Sequence, residues 1–171
     1  DSDNIIQKLF KVNQEIYFFE IEKGLFTIEN GTKKKLFDTK DFNNDIVVQI
    51  LSVNNKTLVV TQNSGLFFLD INSVRPWPIS VAKDIKQASI YTALALRDGT
   101  IILGTIGSGI IHLSARGEQL FNINRFNGLG DNTALSLYED HSSNIWVGLD
   151  NGLDCINLKS PYLNYTDRRG T

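Results

Sequence analysis

Residues 100–113, TIILGTIGSGIIHL, read as an apolar strand, a tight polar turn ending in Gly109, and a second apolar strand. The same grammar returns in EIYFFEIEKGLFTI (15–28), TLVVTQNSGLFFLD (57–70) and NIWVGLDNGLDCIN (144–157). The glycines that close these turns, Gly24, Gly65, Gly109 and Gly152, are 41, 44 and 43 residues apart. Four periods of that length account for nearly all 171 residues, and the period is that of a four-stranded propeller blade.

Each hairpin has an apolar run before it (Ile5–Phe10, Ile46–Val53, Ile90–Leu96, Ala134–Tyr138) and another after it (Leu36–Phe37, Val74–Ile79, Leu120–Ile123, Tyr162–Tyr165). Between the first run and the hairpin stand Asn13-Gln14, Asn54-Asn55-Lys56, Asp98-Gly99 and Asp140-His141-Ser142-Ser143, residues that tolerate the left-handed backbone of a hairpin turn. The expected architecture is all-β, with four four-stranded antiparallel blades at about 1–40, 41–80, 81–126 and 127–171 in one propeller fragment. No segment sustains a 3.6-residue apolar period, so helix is expected to be nearly absent.

Strands such as Leu66-Phe67-Phe68-Leu69 and Ile101-Ile102-Leu103 are apolar on both faces, where a sheet with one wet face would alternate. Neighbouring blades supply cover on both sides, and Gly104 and Gly148 in the second strands suit close approach between blades. Four blades are the small extreme of known rings, so the reading is an arc of a six- to eight-bladed ring. Such an arc leaves two apolar blade faces open, which predicts self-association, two copies completing an eight-blade ring about a two-fold axis.

Composition narrows the function classes. With 17 Lys+Arg against 19 Asp+Glu the chain is nearly neutral, and its one dense basic run, Lys33-Lys34-Lys35, is answered by Asp38, Asp41 and Asp45; nothing supports nucleic-acid binding. The 42% apolar content and 10 Phe, 5 Tyr and 2 Trp are those of a folded domain. A single cysteine, Cys155, excludes an internal disulfide framework and a Cys-based zinc site. No stretch is long and apolar enough for a membrane helix, and Asp1-Ser2-Asp3-Asn4 has no signal-peptide character, so no membrane contact is expected of these residues.

The stretch NGLGDNTALSLYEDHSSNIWVGLDNGLDCINL (127–158) resembles the repeat of the bacterial two-component regulator propellers. The positions that carry the likeness are Gly128-Leu129, Asn132, Glu139-Asp140, Asn144, Trp146, Gly148 and Gly152-Leu153, with a partial echo in Arg97-Asp98-Gly99-Thr100, Gly104 and Gly109-Ile110. The resemblance implies a periplasmic sensor region of a membrane receptor with histidine kinase or direct DNA-binding output. It also implies an oligosaccharide ligand, control of transcription, and the remaining blades of the parent receptor as partners.

Sugar sites combine an aromatic platform with planar polar groups, because stacking buries the ring's apolar face while amides and carboxylates meet its hydroxyls. Trp77 (between two prolines in a presumed outermost strand), Arg125 and Asn132 are therefore the candidate ligand residues, with Trp77 read mainly as edge packing and Asn132 also as a turn residue. The loops Asp41–Asp45, Lys83–Gln87 and Asn127–Asn132 are expected to gather at one end of the channel. Trp146 is expected in the core between blades with a buried acceptor for its indole, and Cys155 as a small buried hydrophobe.

Catalytic candidates are few. His112 reads as a core histidine and His141 as a solvated turn residue; Ser108 lies in a hairpin turn with no helix to make a nucleophile elbow; Asp131, Glu139 and Asp140 read as turn and strand-end residues. No catalytic residue, metal or cofactor is assigned. A non-catalytic sensor module leads, with a propeller enzyme of the streptogramin-lyase type and a protein-interaction scaffold as alternatives.

Overall fold

In the computed structural model, which describes residues 6–158, four antiparallel sheets follow one another along the chain. Blade one is β1 (Ile6–Val12), β2 (Glu15–Glu20), β3 (Gly24–Glu29) and β4 (Thr32–Phe37). Blade two is β5 (Val47–Val53), β6 (Lys56–Thr61), β7 (Leu66–Leu69) and β8 (Val74–Trp77). Blade three is β9 (Ile90–Ala95), β10 (Ile101–Thr105), β11 (Ile110–Leu113) and β12 (Gln119–Ile123). Blade four shows β13 (Ala134–Glu139), β14 (Asn144–Leu149) and β15 (Gly152–Asn157); the run expected as its last strand, Tyr162–Tyr165, lies outside the described residues.

Every sheet is a meander in sequence order. The first strands β1, β5, β9 and β13 lie side by side in that order, while β13 makes no comparable contact with β1, so the described blades form an open arc. Successive side chains of a strand point to opposite faces, and here both faces meet a neighbour. Along β10, Ile101 and Leu103 enter the core shared with blade two and Ile102 the core shared with blade four. Between blades one and two, Phe42 stands edge-on to Phe67 with ring centroids 5.8 Å apart and is fully buried.

Two glycines of the repeat are fixed by close approach. A Cβ on Gly24 would stand 2.1 Å from the Phe37 carbonyl oxygen, and one on Gly109 2.1 Å from that of Ile123. In each case the hairpin's returning strand starts directly beneath the end of the blade's last strand. At Gly104 a Cβ would meet Thr92 Cγ2 at 2.6 Å and Ala134 Cβ at 3.1 Å, the expected approach of blades three and four. Gly148 instead faces Ser136 of its own blade. A second recurring device is the buried threonine ending the hairpin's first strand: Thr61 Oγ1 donates to the Gly65 carbonyl and Thr105 Oγ1 to that of Gly109, both at 2.8 Å.

Three expectations are corrected. Lys83–Gln87, read as a loop, lies within α1 (Ala82–Ala88), a helix held by Ile85 beside Val81, both buried in the core shared by blades two and three, with Ala88 buried as well. A 3-10 turn at Thr39–Phe42 is the other helical element among the described residues, so helix there is scarce as expected but not confined to turns. Trp146 is 38% exposed rather than in the core, and its Nε1 donates to Asp140 Oδ2 at 3.0 Å on the surface. Cys155 is likewise exposed. The reason is strand parity: Ile145, Val147 and Leu149 turn toward blade three, which puts Trp146 and its cross-strand neighbours Tyr138 and Cys155 on the face that no described blade covers.

Candidate functional site

The connection from each blade's last strand to the next blade's first strand emerges at the same end of the arc as the turn between second and third strands. Asp45, Ser89 and Asn132 each stand just before a blade's first strand, 44 and 43 residues apart, and tie this end together. Asp45 Oδ2 accepts from the Asn63 and Ser64 amides at 2.6 Å. Ser89 Oγ donates to Asn63 Oδ1 at 3.0 Å and accepts from Gln62 Nε2 at 3.1 Å. The Asn132 carbonyl accepts from the Gly107 and Gly109 amides at 3.1 and 2.8 Å.

Above blade three these connections leave a cleft of about 400 Å³, within the range of small-molecule sites. Its walls are α1 (Asp84, Ala88), the Gly107-Ser108 turn, Gln119 and Asn122 of β12, and Asn124, Phe126 and Asn132 of the following loop. The loop is held by its own asparagines. Asn124 Oδ1 accepts from the Phe126 amide at 2.9 Å, Asn124 Nδ2 donates to Asn122 Oδ1 at 2.8 Å, and Asn127 Oδ1 accepts from the Asn124 amide at 2.6 Å. Asn122 Nδ2 reaches the Ser108 and Ile110 carbonyls at 3.1 and 3.2 Å, so the loop and the β10–β11 turn are fixed to each other.

Phe126 is 96% exposed at the rim, an aromatic face free for stacking. Asn132 Oδ1 accepts from the Arg125 amide at 2.8 Å, which leaves its Nδ2 as a donor with no partner among the described residues. The lining is amide, hydroxyl and aromatic, with the aliphatic side chains of Ala88 and Ile111 and the single carboxylate of Asp84. That chemistry suits an uncharged, hydroxyl-rich molecule better than a phosphate or a polyanion, which would call for clustered cations.

Of the candidate residues, Asn132 lines the cleft and Arg125 stands in its rim loop, next to Phe126. Trp77 does not reach it: the ring packs on Phe68 at 5.1 Å and lies beneath Gly117 of blade three, where a Cβ would meet it at 3.3 Å. The loops Lys83–Gln87 and Asn127–Asn132 do converge, through Asp84 and Asn132, whereas Asp41–Asp45 borders a smaller cleft of about 240 Å³ between blades one and two. Sequence reasoning missed Gln119, Asn122, Asn124 and Phe126; the available signal was the asparagine-rich run Asn122-Ile123-Asn124-Arg125-Phe126-Asn127.

At the opposite end, Arg97 clamps blade three to blade four, donating to the carbonyls of Asp140, Glu139 and His141 at 2.7, 3.2 and 3.4 Å, while its amide donates to Glu139 Oε2 at 2.9 Å. Asp140 gathers the Ser142 and Asn144 amides, Asn144 Nδ2 and the Trp146 indole, and these donors hold its carboxyl at about 2. Buried His112 bonds Thr100 Oγ1 through Nε2 at 2.7 Å and packs on Phe121; burial lowers its pKa, opposed by the charge of Asp98. Ser108 and His112 stand in different parts of blade three, in a hairpin turn and in β11, and share no hydrogen bond.

Repeated four-stranded meanders joined by inter-blade cores define the class: a β-propeller, open in the arc that the described residues form. Residues 128–151 match the family model "Two component regulator propeller", within the stretch 127–158 that carries the motif. A curated relative, histidine kinase P4 of Formosa agariphila, is 22% identical over 93% of this chain and 13% of its own length. The extracellular domain of the putative hybrid two component system BT4673 from B. thetaiotaomicron superposes with a TM-score of 0.66 at 17% identity, covering 90% of this chain and 24% of that one. That of BT3049 from the same organism gives 0.59 at 20% identity, covering 83% and 18%. The fold also resembles BamB from Moraxella catarrhalis, with a TM-score of 0.58 at 15% identity over 91% of this chain and 48% of that one. The chain therefore spans about a quarter or less of the two-component relatives it matches.

Proposed function

We propose that this chain is a non-catalytic ligand-sensing segment of a bacterial membrane receptor, exposed in the periplasm, and that the blade-three cleft takes an oligosaccharide. The observation that carries the reading is the cleft itself: an exposed Phe126 beside amide groups whose positions are set by hydrogen bonds within the loop. Preorganised amides lose little entropy on binding, and a stacked ring supplies apolar contact without charge. The solved extracellular domains of two-component systems support the sensor setting, and the curated kinase relative supports a signalling output from a longer protein.

Calorimetric titration of a panel of neutral di- and oligosaccharides into the chain tests this. Saturable binding is expected for at least one sugar, and Phe126→Ala is expected to weaken it by about ten-fold, the equivalent of roughly 1.4 kcal/mol. Phe126 is almost wholly exposed, so this change leaves the fold intact and its effect reports on ligand contact. A panel in which no sugar binds, or binding indifferent to Phe126→Ala and Asp84→Asn together, would overturn the assignment of this cleft.

A further inference from the structure

The hydrogen bonds of the blade-three cleft divide its polar groups into two sets. Asn122 and Asn124 are spent on structure: Asn122 donates to two carbonyls and accepts from Asn124 Nδ2, while Asn124 Oδ1 takes the Phe126 amide. Ser108 and Gln119 are fixed through their main-chain amides, which donate to Thr105 Oγ1 at 3.1 Å and to Ser80 Oγ at 2.8 Å. Among the described residues, nothing pairs with the Ser108 hydroxyl, the Gln119 side-chain amide or the Asp84 carboxylate, and Asn132 Nδ2 is equally unengaged.

The same lining includes Ala88 and Ile111, each only 2% exposed. A polar ligand group held against that aliphatic surface gives up water and gains no partner, whereas a methyl group placed there is stabilised by leaving water. The cleft therefore calls for three things from one ligand: a donor for Asp84, an acceptor for Asn132 Nδ2 and a small apolar group. A ring hydroxyl supplies the first two and not the third, and an ammonium group supplies the first alone. An acetamido group supplies all three, since its N–H donates, its carbonyl accepts and its methyl is apolar.

We propose that the cleft recognises an N-acetylated sugar, the acetamido N–H donating to Asp84, its carbonyl accepting from Asn132 Nδ2, its methyl lying on Ala88 and Ile111, and the sugar ring stacking on Phe126. This rests on the oligosaccharide reading of the cleft and adds to it the substituent that is selected. Asp84 and Asn132 are then the specificity residues, Phe126 a platform that serves any sugar, and Asn122 and Asn124 positioning residues that fix the loop. Selection follows because a sugar without the acetamido group leaves the aliphatic surface wet and the amide donor without its acceptor.

Calorimetric titration tests it with disaccharides of N-acetylglucosamine and of N-acetylgalactosamine, each run beside counterparts that carry a hydroxyl or a free amine in place of the acetamido group. At least one acetylated sugar is expected to bind about ten-fold or more tightly than its hydroxyl counterpart. Asn132→Asp keeps an oxygen for the Arg125 amide and removes the Nδ2 donor, and Asp84→Ala changes an exposed helix position; each is expected to bring that ratio toward one, with circular dichroism verifying the fold. Phe126→Ala is expected to weaken acetylated and plain sugars alike and to leave the ratio unchanged. Equal affinity for acetylated and hydroxyl sugars, both weakened by Phe126→Ala, would overturn the acetamido assignment while the oligosaccharide cleft stands. Tighter binding of the amine than of the acetamide would also overturn it, by making Asp84 a cation site. Binding by none of these sugars rejects it too, and if every other neutral sugar also fails to bind, the assignment of the cleft falls with it.

Discussion

Asp140 gives the Asp, Asn and Trp of the blade-four motif a common physical purpose, since one carboxylate accepts from two amides, the Asn144 side chain and the Trp146 indole. Its pKa of about 2 lies below the ordinary 3.8, so its stabilising contribution is fully present above 3.8 and is lost as pH falls through about 2. Asp140→Asn is expected to flatten the fall in melting temperature across that window. His112 has the same sign: burial favours its neutral form, so stability falls as pH drops below the ordinary 6.5. His112→Gln is expected to remove that dependence between pH 7 and the acid limb, measured by denaturant unfolding. The repeat glycines separate two causes. Gly152→Ala strains only the backbone, at φ +113°, for about 1 to 3 kcal/mol, whereas Gly109→Ala also collides with the Ile123 carbonyl and is expected to lose more in the same measurement.

At the scale of elements, α1 shows how tertiary packing makes a helix from a weak local signal. Seven residues are too few to be stable alone, and what holds them is Ile85 buried between blades two and three. Ile85→Ala is expected to cost about 2 to 5 kcal/mol and, by loosening the helix that carries Asp84, to weaken any ligand of the cleft. Phe67→Ala, which removes the ring that meets Phe42 edge-on, is expected to cost about 3 to 5 kcal/mol, read from the unfolding midpoint. The strands themselves were legible because their turns announce them. Asn54-Asn55 and Asn30-Gly31 both take the paired positive φ of a tight hairpin, and the closing glycines fix where each returning strand starts.

For the whole molecule, stability comes from blade-on-blade burial, and each added blade is worth the face that it covers. Leu153 and Tyr138 are exposed on the face of blade four that no described blade covers.

The sequence by itself determined the repeat, the four-stranded blades and the motif by which the fourth resembles the two-component regulator propellers, because period, turn chemistry and two-sided apolar strands are local properties that survive without coordinates. It also pointed to Arg125 and Asn132, which stand at the cleft. Only the tertiary structure decided that Trp146 and Cys155 face outward, since their burial depends on whether a neighbour exists on that side. It alone brought Asp84, Asn122, Asn124 and Phe126 together, because a site assembled from a helix, an outer strand and an inter-blade loop is set by how blades stack.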